Sequence, residues 1–177
     1  DAAKNVTATF NDTTPPNVPV VTAGSSLMND NTPTWTWSTG GNGGNGTYRY
    51  KLDSSDLTSG ATETATASFT PATALTDGVH TLYVQERDAA GNWSANGSYA
   101  VTVDTVAPTS TITVVPTSIT NSTAANFSFT SEAGVTFQCQ LDGGNWTTCT
   151  SPLNYSNLTQ GAHTLLIKAS DGAGNTE

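Results

Sequence analysis

The chain has 177 residues, enough for one large domain or two small ones, and carries a net charge of −9 from fourteen acids against five bases. That balance argues against nucleic acid or an anionic membrane as partner, since both require a positive footprint. Thr, Ser, Val and Gly crowd a chain with a single Met, and no stretch approaches the length of a membrane span, so membrane insertion is not expected.

Asp1-Ala-Ala-Lys-Asn-Val-Thr opens the chain, and Val6, Ala8 and Phe10 alternate with polar residues as a strand does. Asp12-Thr-Thr-Pro-Pro then reads as a linker, because proline fixes φ and removes a donor. Trp35 and Trp37 alternate with Thr34 and Thr36, the pattern of a strand with one buried face. Gly40 to Gly46 reads as a flexible hairpin insertion; no Lys-Ser/Thr follows it, so a phosphate-cradling loop is not expected. Tyr48 to Asp53 and Gly78 to Val84 give two further alternating stretches. Asp88-Ala-Ala-Gly-Asn-Trp-Ser forms a loop, and Tyr99, Val101 and Val103 a last strand.

The second half repeats this order. Asp104-Thr-Val-Ala-Pro matches the first linker, and Phe127 and Phe129 stand where Trp35 and Trp37 stood. Phe137-Gln-Cys-Gln-Leu-Asp142 matches Tyr48 to Asp53, Gly161-Ala-His163-Thr-Leu matches Gly78-Val-His80-Thr-Leu, and Asp171-Gly-Ala-Gly-Asn matches the loop at Asp88. Short strands separated by Gly, Asn, Asp and Pro over a repeat of roughly 80–90 residues predict an all-β chain of two tandem immunoglobulin-like sandwiches. The expected boundaries are residues 1–11 as an orphan strand from a preceding repeat, 12–103 as the first repeat, and 104–177 as a second repeat lacking its last strand.

The linker, the stretch Phe137 to Pro152, and Gly-x-His-Thr-Leu followed by Asp-x-Ala-Gly-Asn resemble the bacterial-type immunoglobulin-like repeats that stand in tandem in extracellular surface proteins and adhesins. The resemblance covers nearly the whole chain. It implies a sandwich fold and a place at the cell surface, but no single activity, since such repeats serve as stalks, adhesive modules and enzyme spacers alike.

Cys139 and Cys149 lie ten residues apart across Asp142-Gly-Gly-Asn145, a turn that folds two strands back on each other. Two cysteines without a nearby histidine make a poor zinc site, so a disulfide and an oxidising, extracellular setting are expected. The first repeat has Tyr50 at the place of Cys139, which makes the bridge a local staple.

Ten of the fifteen asparagines open an Asn-x-Ser/Thr sequence: Asn5, Asn11, Asn45, Asn92, Asn96, Asn121, Asn126, Asn145, Asn154 and Asn157. Chance in so Ser- and Thr-rich a chain supplies about four, leaving either compositional bias or a heavily N-glycosylated protein. His80 and His163 share one repeat position before Thr-Leu, which fits a hydrogen-bonded strand end. No nucleophile has a partner at catalytic spacing, so no enzyme activity and no catalytic residue is expected. Asp12 and Asp104 in the linkers, with Asp88 and Asp171 in the recurrent loop, either cap turns or hold calcium at domain junctions; no other cofactor is implied. Trp93 and Trp146 offer aromatic faces for sugar stacking or cover strand edges.

These observations lead to a structural repeat of an extracellular surface protein, whether stalk, adhesin or filament subunit. Its partners are then neighbouring repeats or further copies of itself. The alternatives are a calcium-dependent or glycan-binding adhesion module, and an accessory domain of a secreted hydrolase. Val6, Ala8 and Phe10 carry a further expectation: as a spare strand, residues 1–11 of one subunit complete the open sandwich of the next, head to tail.

Overall fold

The computed structural model describes residue 7 and residues 11–177, and every regular element in it is a β-strand. Two compact units result, one built on Thr32–Thr102 with the described residues before Leu27, the other on Val103–Glu177 with Leu27–Asn31, which include the short β2 (Leu27–Met28).

In the first unit β1 (Val20–Ala23), β3 (Trp35–Ser38) and β6 (Ser68–Phe69) form one antiparallel sheet in the order β1-β3-β6. Facing it, β8 (Gly97–Val103), β7 (Gly78–Asp88), β4 (Gly44–Leu52) and β5 (Thr62–Thr64) run in the order β8-β7-β4-β5. The alternating side chains fill the space between the sheets. Trp35, Leu82, Val84 and Val101 are wholly buried, and Trp37 and Tyr48 nearly so. Their rings make a continuous cluster in which Trp35 stacks on Phe69 at 6.1 Å, Phe69 meets Tyr50 at 4.8 Å, and Tyr50 meets Trp37 at 5.7 Å. Such contacts add about 0.5–1.5 kcal/mol each beyond simple burial. The indole of Trp35 also donates to the Tyr99 carbonyl at 3.1 Å, fastening one sheet to the other.

The second unit repeats the plan with thinner filling. Its sheets are β13 (Leu153–Tyr155), β10 (Ala125–Thr130) and β9 (Thr111–Val114), in the order β13-β10-β9, and β12 (Thr147–Cys149), β11 (Thr136–Leu141) and β14 (Leu165–Ser170), in the order β12-β11-β14. Phe129, Cys139 and Ala169 form its buried centre, with Phe129 edge-on to Phe137 at 4.9 Å. Cys139 and Cys149 are bonded across β11 and β12, with Cα atoms 5.8 Å apart, as their spacing predicts.

One expectation needs correction. The stretch Gly40 to Gly46 is not wholly a flexible insertion, because Gly44 to Gly46 belong to β4 and Gly44 pairs with Asp88. Glycine is required there: a Cβ on Gly44 would lie 2.3 Å from the Glu86 carboxyl group.

Candidate functional site

The residues that recur between the two units build two polar devices, each present twice. The first joins a hairpin tip to a strand start. Asp53 and Asp142 follow their strands in the left-handed region, with φ of 56° and 53°, so that each carboxylate turns back along the sheet. One oxygen of Asp53 accepts the Thr81 amide at 2.8 Å and the other lies 2.7 Å from Nδ1 of His80, while Nε2 of His80 meets the Thr76 carbonyl at 2.9 Å. Asp142, Thr164, His163 and Thr159 repeat the same distances. A carbonyl and a carboxylate both accept only, so the arrangement is fully satisfied when both ring nitrogens carry protons.

The charge state follows from this geometry. Hydrogen bonding to Asp53, against a smaller opposing effect of burial, raises the His80 pKa above its ordinary value. Hydrogen bonding to Asp142 and to the Thr159 carbonyl raises that of His163. Conversely, the bond from His163 and the Thr164 amide hold Asp142 below the usual carboxylate range. A raised histidine pKa gives stability that is complete below the unfolded value of about 6.5 and is lost as pH rises through the folded value. A depressed aspartate gives stability present above about 3.9 and lost as pH falls through its folded value. The expected result for His163→Gln is a melting temperature furthest below the parent's between about pH 4 and 6.5, with the gap closing in alkali. A gap that widens in alkali would contradict it.

The second device is the loop Asp-x-Ala-Gly-Asn. Asp88 accepts the Asn92 amide at 2.8 Å on one oxygen and the Asn92 side-chain amide at 2.8 Å on the other. Asp171 accepts the amides of Ala173, Gly174 and Asn175 at 2.8–2.9 Å, and the Asn175 side chain at 2.8 Å. For Asp88 burial opposes ionisation, but the Asn92 bonds and neighbouring amides outweigh it and depress the pKa. For Asp171 the Asn175 side chain leads, against burial and with the loop amides, to the same result.

Each loop then grips the linker of its own unit. The Asn92 side chain donates to the Asp12 carbonyl at 3.0 Å, and the Asn175 side chain to the Asp104 carbonyl at 2.8 Å. The linker acids themselves close turns, Asp12 accepting the Thr14 amide at 2.9 Å and Asp104 the Val106 amide at 3.1 Å. All four acids singled out in the sequence thus carry turn bonds, and among the described residues no group of three or more His, Cys, Asp or Glu converges on a common point. The clamp itself was not anticipated. Its signal was the joint recurrence of linker and loop.

Both tryptophans singled out in the sequence carry cations: Arg49 and Arg87 lie over Trp93 at 4.4 and 5.3 Å, and Lys168 over Trp146 at 4.6 Å, cation–π contacts with which a stacked sugar would have to compete. A further polar site is unique to the first unit. Glu86, 1% exposed, accepts the Thr39 hydroxyl at 2.7 Å and the Gly46 amide at 3.3 Å, and it stands across the sheet from Tyr48, whose pKa is raised by burial and by that carboxylate. Glu86 was legible only as an acid that continues the inward series Leu82 and Val84, ahead of Asp88 on the same face. Nine of the ten sequon asparagines are described, Asn5 lying outside the described residues together with Val6, Ala8 and Phe10. Asn11, Asn45, Asn121, Asn126, Asn145, Asn154 and Asn157 are exposed, whereas Asn92 and Asn96 are half-buried.

Two facing antiparallel sheets in each unit, with polar devices spent on the backbone, define a β-sandwich module of the immunoglobulin-like class. Residues 22–105 match the family described as Bacterial Ig-like domain. The chain is 33% identical over 195 residues to Exoglucanase B of Cellulomonas fimi, a match that covers 98% of this chain and 17% of that protein. Among solved structures, the fibronectin(III)-like modules of Clostridium thermocellum CbhA are similar at 18% identity and a TM-score of 0.45, covering 89% of this chain and 88% of theirs. Chicken CNTN1 FN1-FN3 domains are similar at 14% identity and a TM-score of 0.44, covering 90% and 64%. Among the described residues no helix is long and apolar enough to cross a membrane.

Proposed function

We propose that this chain is a spacer segment of an extracellular protein, a pair of sandwiches whose work is to hold other parts of a polypeptide at a set separation. The observation that carries this reading is the duplicated linker clamp, Asn92 on Asp12 and Asn175 on Asp104. A module that only folds has no need to bind its own entry linker, whereas a spacer does, because a free linker is a hinge. Pro15, Pro16 and Pro108 stiffen the same segments by fixing φ. The disulfide supports an oxidising compartment. The likeness to part of an exoglucanase agrees with a module that stands beside other domains. Limited proteolysis of the native chain tests this. Asn92→Ala and Asn175→Ala each remove two side-chain hydrogen bonds, one of them to the linker, and should speed cleavage within residues 12–19 and 104–110 by about tenfold while the units stay folded. Unchanged cleavage would remove the support for a clamped spacer.

We propose in addition that exposed sequons carry N-glycans, and side-chain bonding supports a distinction among them. Asn92 is set apart, because its side-chain nitrogen donates both hydrogens, to Asp12 and to Asp88. A glycan leaves that nitrogen one hydrogen, so occupancy there undoes the clamp. Glycopeptide mapping of native material is expected to find sugar on exposed sites such as Asn11, Asn121, Asn145 and Asn157, with Asn92 bare. A glycan on Asn92, or bare peptides throughout, would overturn the assignment.

A further inference from the structure

The few basic residues of this acidic chain are not scattered. Of the five, Arg49, Lys51 and Arg87 stand on one face of the first unit. Tyr48 and Tyr50 turn inward from β4, and Leu82, Val84 and Glu86 from β7. By the period of two, Arg49 and Lys51, with Tyr83, Gln85 and Arg87, lie on the outer face of the same sheet. Register sets Thr47 beside Arg87, Arg49 beside Gln85 and Lys51 beside Tyr83. The Asp88–Asn92 loop then turns the chain back, and Trp93 pairs with Arg87 in an antiparallel bridge that puts the indole on this outer face too.

Two guanidinium groups therefore meet at one ring, 4.4 and 5.3 Å from its centre. Like charges so placed repel. Arg49 is steadied by its Nε, which donates to the Gln85 side chain at 2.7 Å. Among the described residues neither arginine is ion-paired, since the acid–base contacts there are His80–Asp53 and His163–Asp142. Glu63, opposite Arg49 on β5, makes no such contact. Lys51 is spent on the carbonyls of Asp56 and Ser59, at 3.3 and 2.9 Å.

The fold does not require this cluster. At the places of Arg49, Arg87 and Trp93 the second unit holds Gln138, Ser170 and Thr176, the last two with hydroxyls 2.9 Å apart. The same sandwich forms there with neither the charges nor the ring.

We propose that Arg49 and Arg87, positioned by Trp93 and Gln85, bind the carboxylate of a uronic acid in an acidic polysaccharide. A guanidinium presents a planar fork that matches a carboxylate, and an anion beside both arginines relieves their repulsion. The neighbours favour a sugar over an acidic peptide. The Gln85 amide nitrogen, the Thr47 hydroxyl and the Tyr83 ring stand in the same two rows, a mixture of hydrogen-bonding groups and apolar surface that suits hydroxyls and C–H faces. An open sheet face also admits an extended chain. With a net charge of −9 on the whole chain, the attraction is local and sensitive to salt.

Calorimetric titration of the whole chain at low ionic strength tests this independently of the spacer reading, which rests on the linkers. A short oligogalacturonate is expected to bind, more weakly as salt is raised, and not at all once its carboxyls are methyl-esterified. Arg49→Gln and Arg87→Ser bring in side chains that the second unit tolerates at the same places. Each should weaken binding by about tenfold, the loss of one charge-assisted contact, with melting showing both units still folded. Lys168→Gln, which removes a cation from the second unit, should leave the affinity unchanged. A parent chain that does not bind, equal binding of the methyl ester, or parent-like affinity in both arginine variants would each overturn the proposal. So would a loss in Lys168→Gln as large as theirs, which marks overall charge alone, or tighter binding of polyglutamate, which marks a dock for acidic peptide.

Discussion

Reducing the Cys139–Cys149 bond, or replacing both residues by Ala, is expected to melt the second unit well before the first. The bond closes a ten-residue separation between β11 and β12. Constraining so short a loop in the unfolded chain accounts for about 2–3 kcal/mol. For a unit of this size each kcal/mol moves the melting temperature by about 4–8 °C, so a fall of roughly 10–20 °C follows. The second unit depends on the bond because its centre is thin: Phe129, Cys139 and Ala169 are the buried residues of its two facing sheets, where the first unit has Trp35, Trp37, Tyr48, Leu82, Val84 and Val101. Cys139 is itself 2% exposed, so the sulfur packs as core as well as bridging. Calorimetry with and without reductant should show two transitions, of which only the lower moves. A reductant that shifts neither transition would mean that pairing of β11 with β14, not the bond, holds this sheet.

That asymmetry also shows what sequence conveys and what it does not. The long strands were legible because Trp35 and Trp37, Leu82 and Val84, and Phe127 and Phe129 alternate with polar partners. The period of two is a local property. The short strands were not. Leu27–Met28 and Ser68–Phe69 are two residues each, too short for any period, and Thr62–Thr64 and Thr147–Cys149 expose most of their side chains and so leave no apolar trace. Their strand character comes from register against a neighbour, which is a tertiary fact. The paired histidines announced a shared role, but their partners Asp53 and Asp142 were legible only as hairpin residues. It takes the left-handed φ at each to aim the carboxylate at the ring. The linker clamp spans 80 residues in one unit and 71 in the other, beyond the reach of any spacing rule.

Glu86→Ala is expected to destabilise the first unit by about 3 kcal/mol, and Tyr48→Phe to return part of that loss when the two are combined. Tyr48 and Glu86 face each other across β4 and β7, and the same two places in the second unit hold Phe137 and Ala169, also cross-strand partners. One fold therefore carries a buried polar pair in one copy and an apolar pair in the other. Removing the carboxylate takes the acceptor from the Thr39 hydroxyl and the Gly46 amide, both on exposed residues, and strands the polar end of buried Tyr48, where an unsatisfied group costs about 1–3 kcal/mol. Removing the tyrosine hydroxyl as well withdraws that orphan, so the cycle should show a favourable coupling of about 1 kcal/mol. Recovery should stay incomplete, because Gly44 leaves the space that the Glu86 carboxyl fills and the second unit has no such hairpin. Adding Gly44→Ala to the double variant supplies a methyl group at that space, which in the parent chain would collide with the carboxyl group. The same substitution is thus expected to be harmful with Glu86 present and harmless or helpful without it. Urea melts of the five variants, the three single ones, the double and the triple, decide the matter. Strictly additive losses would mean that Tyr48 and Glu86 do not act together, and that the pair seen across the sheet is a coincidence of burial.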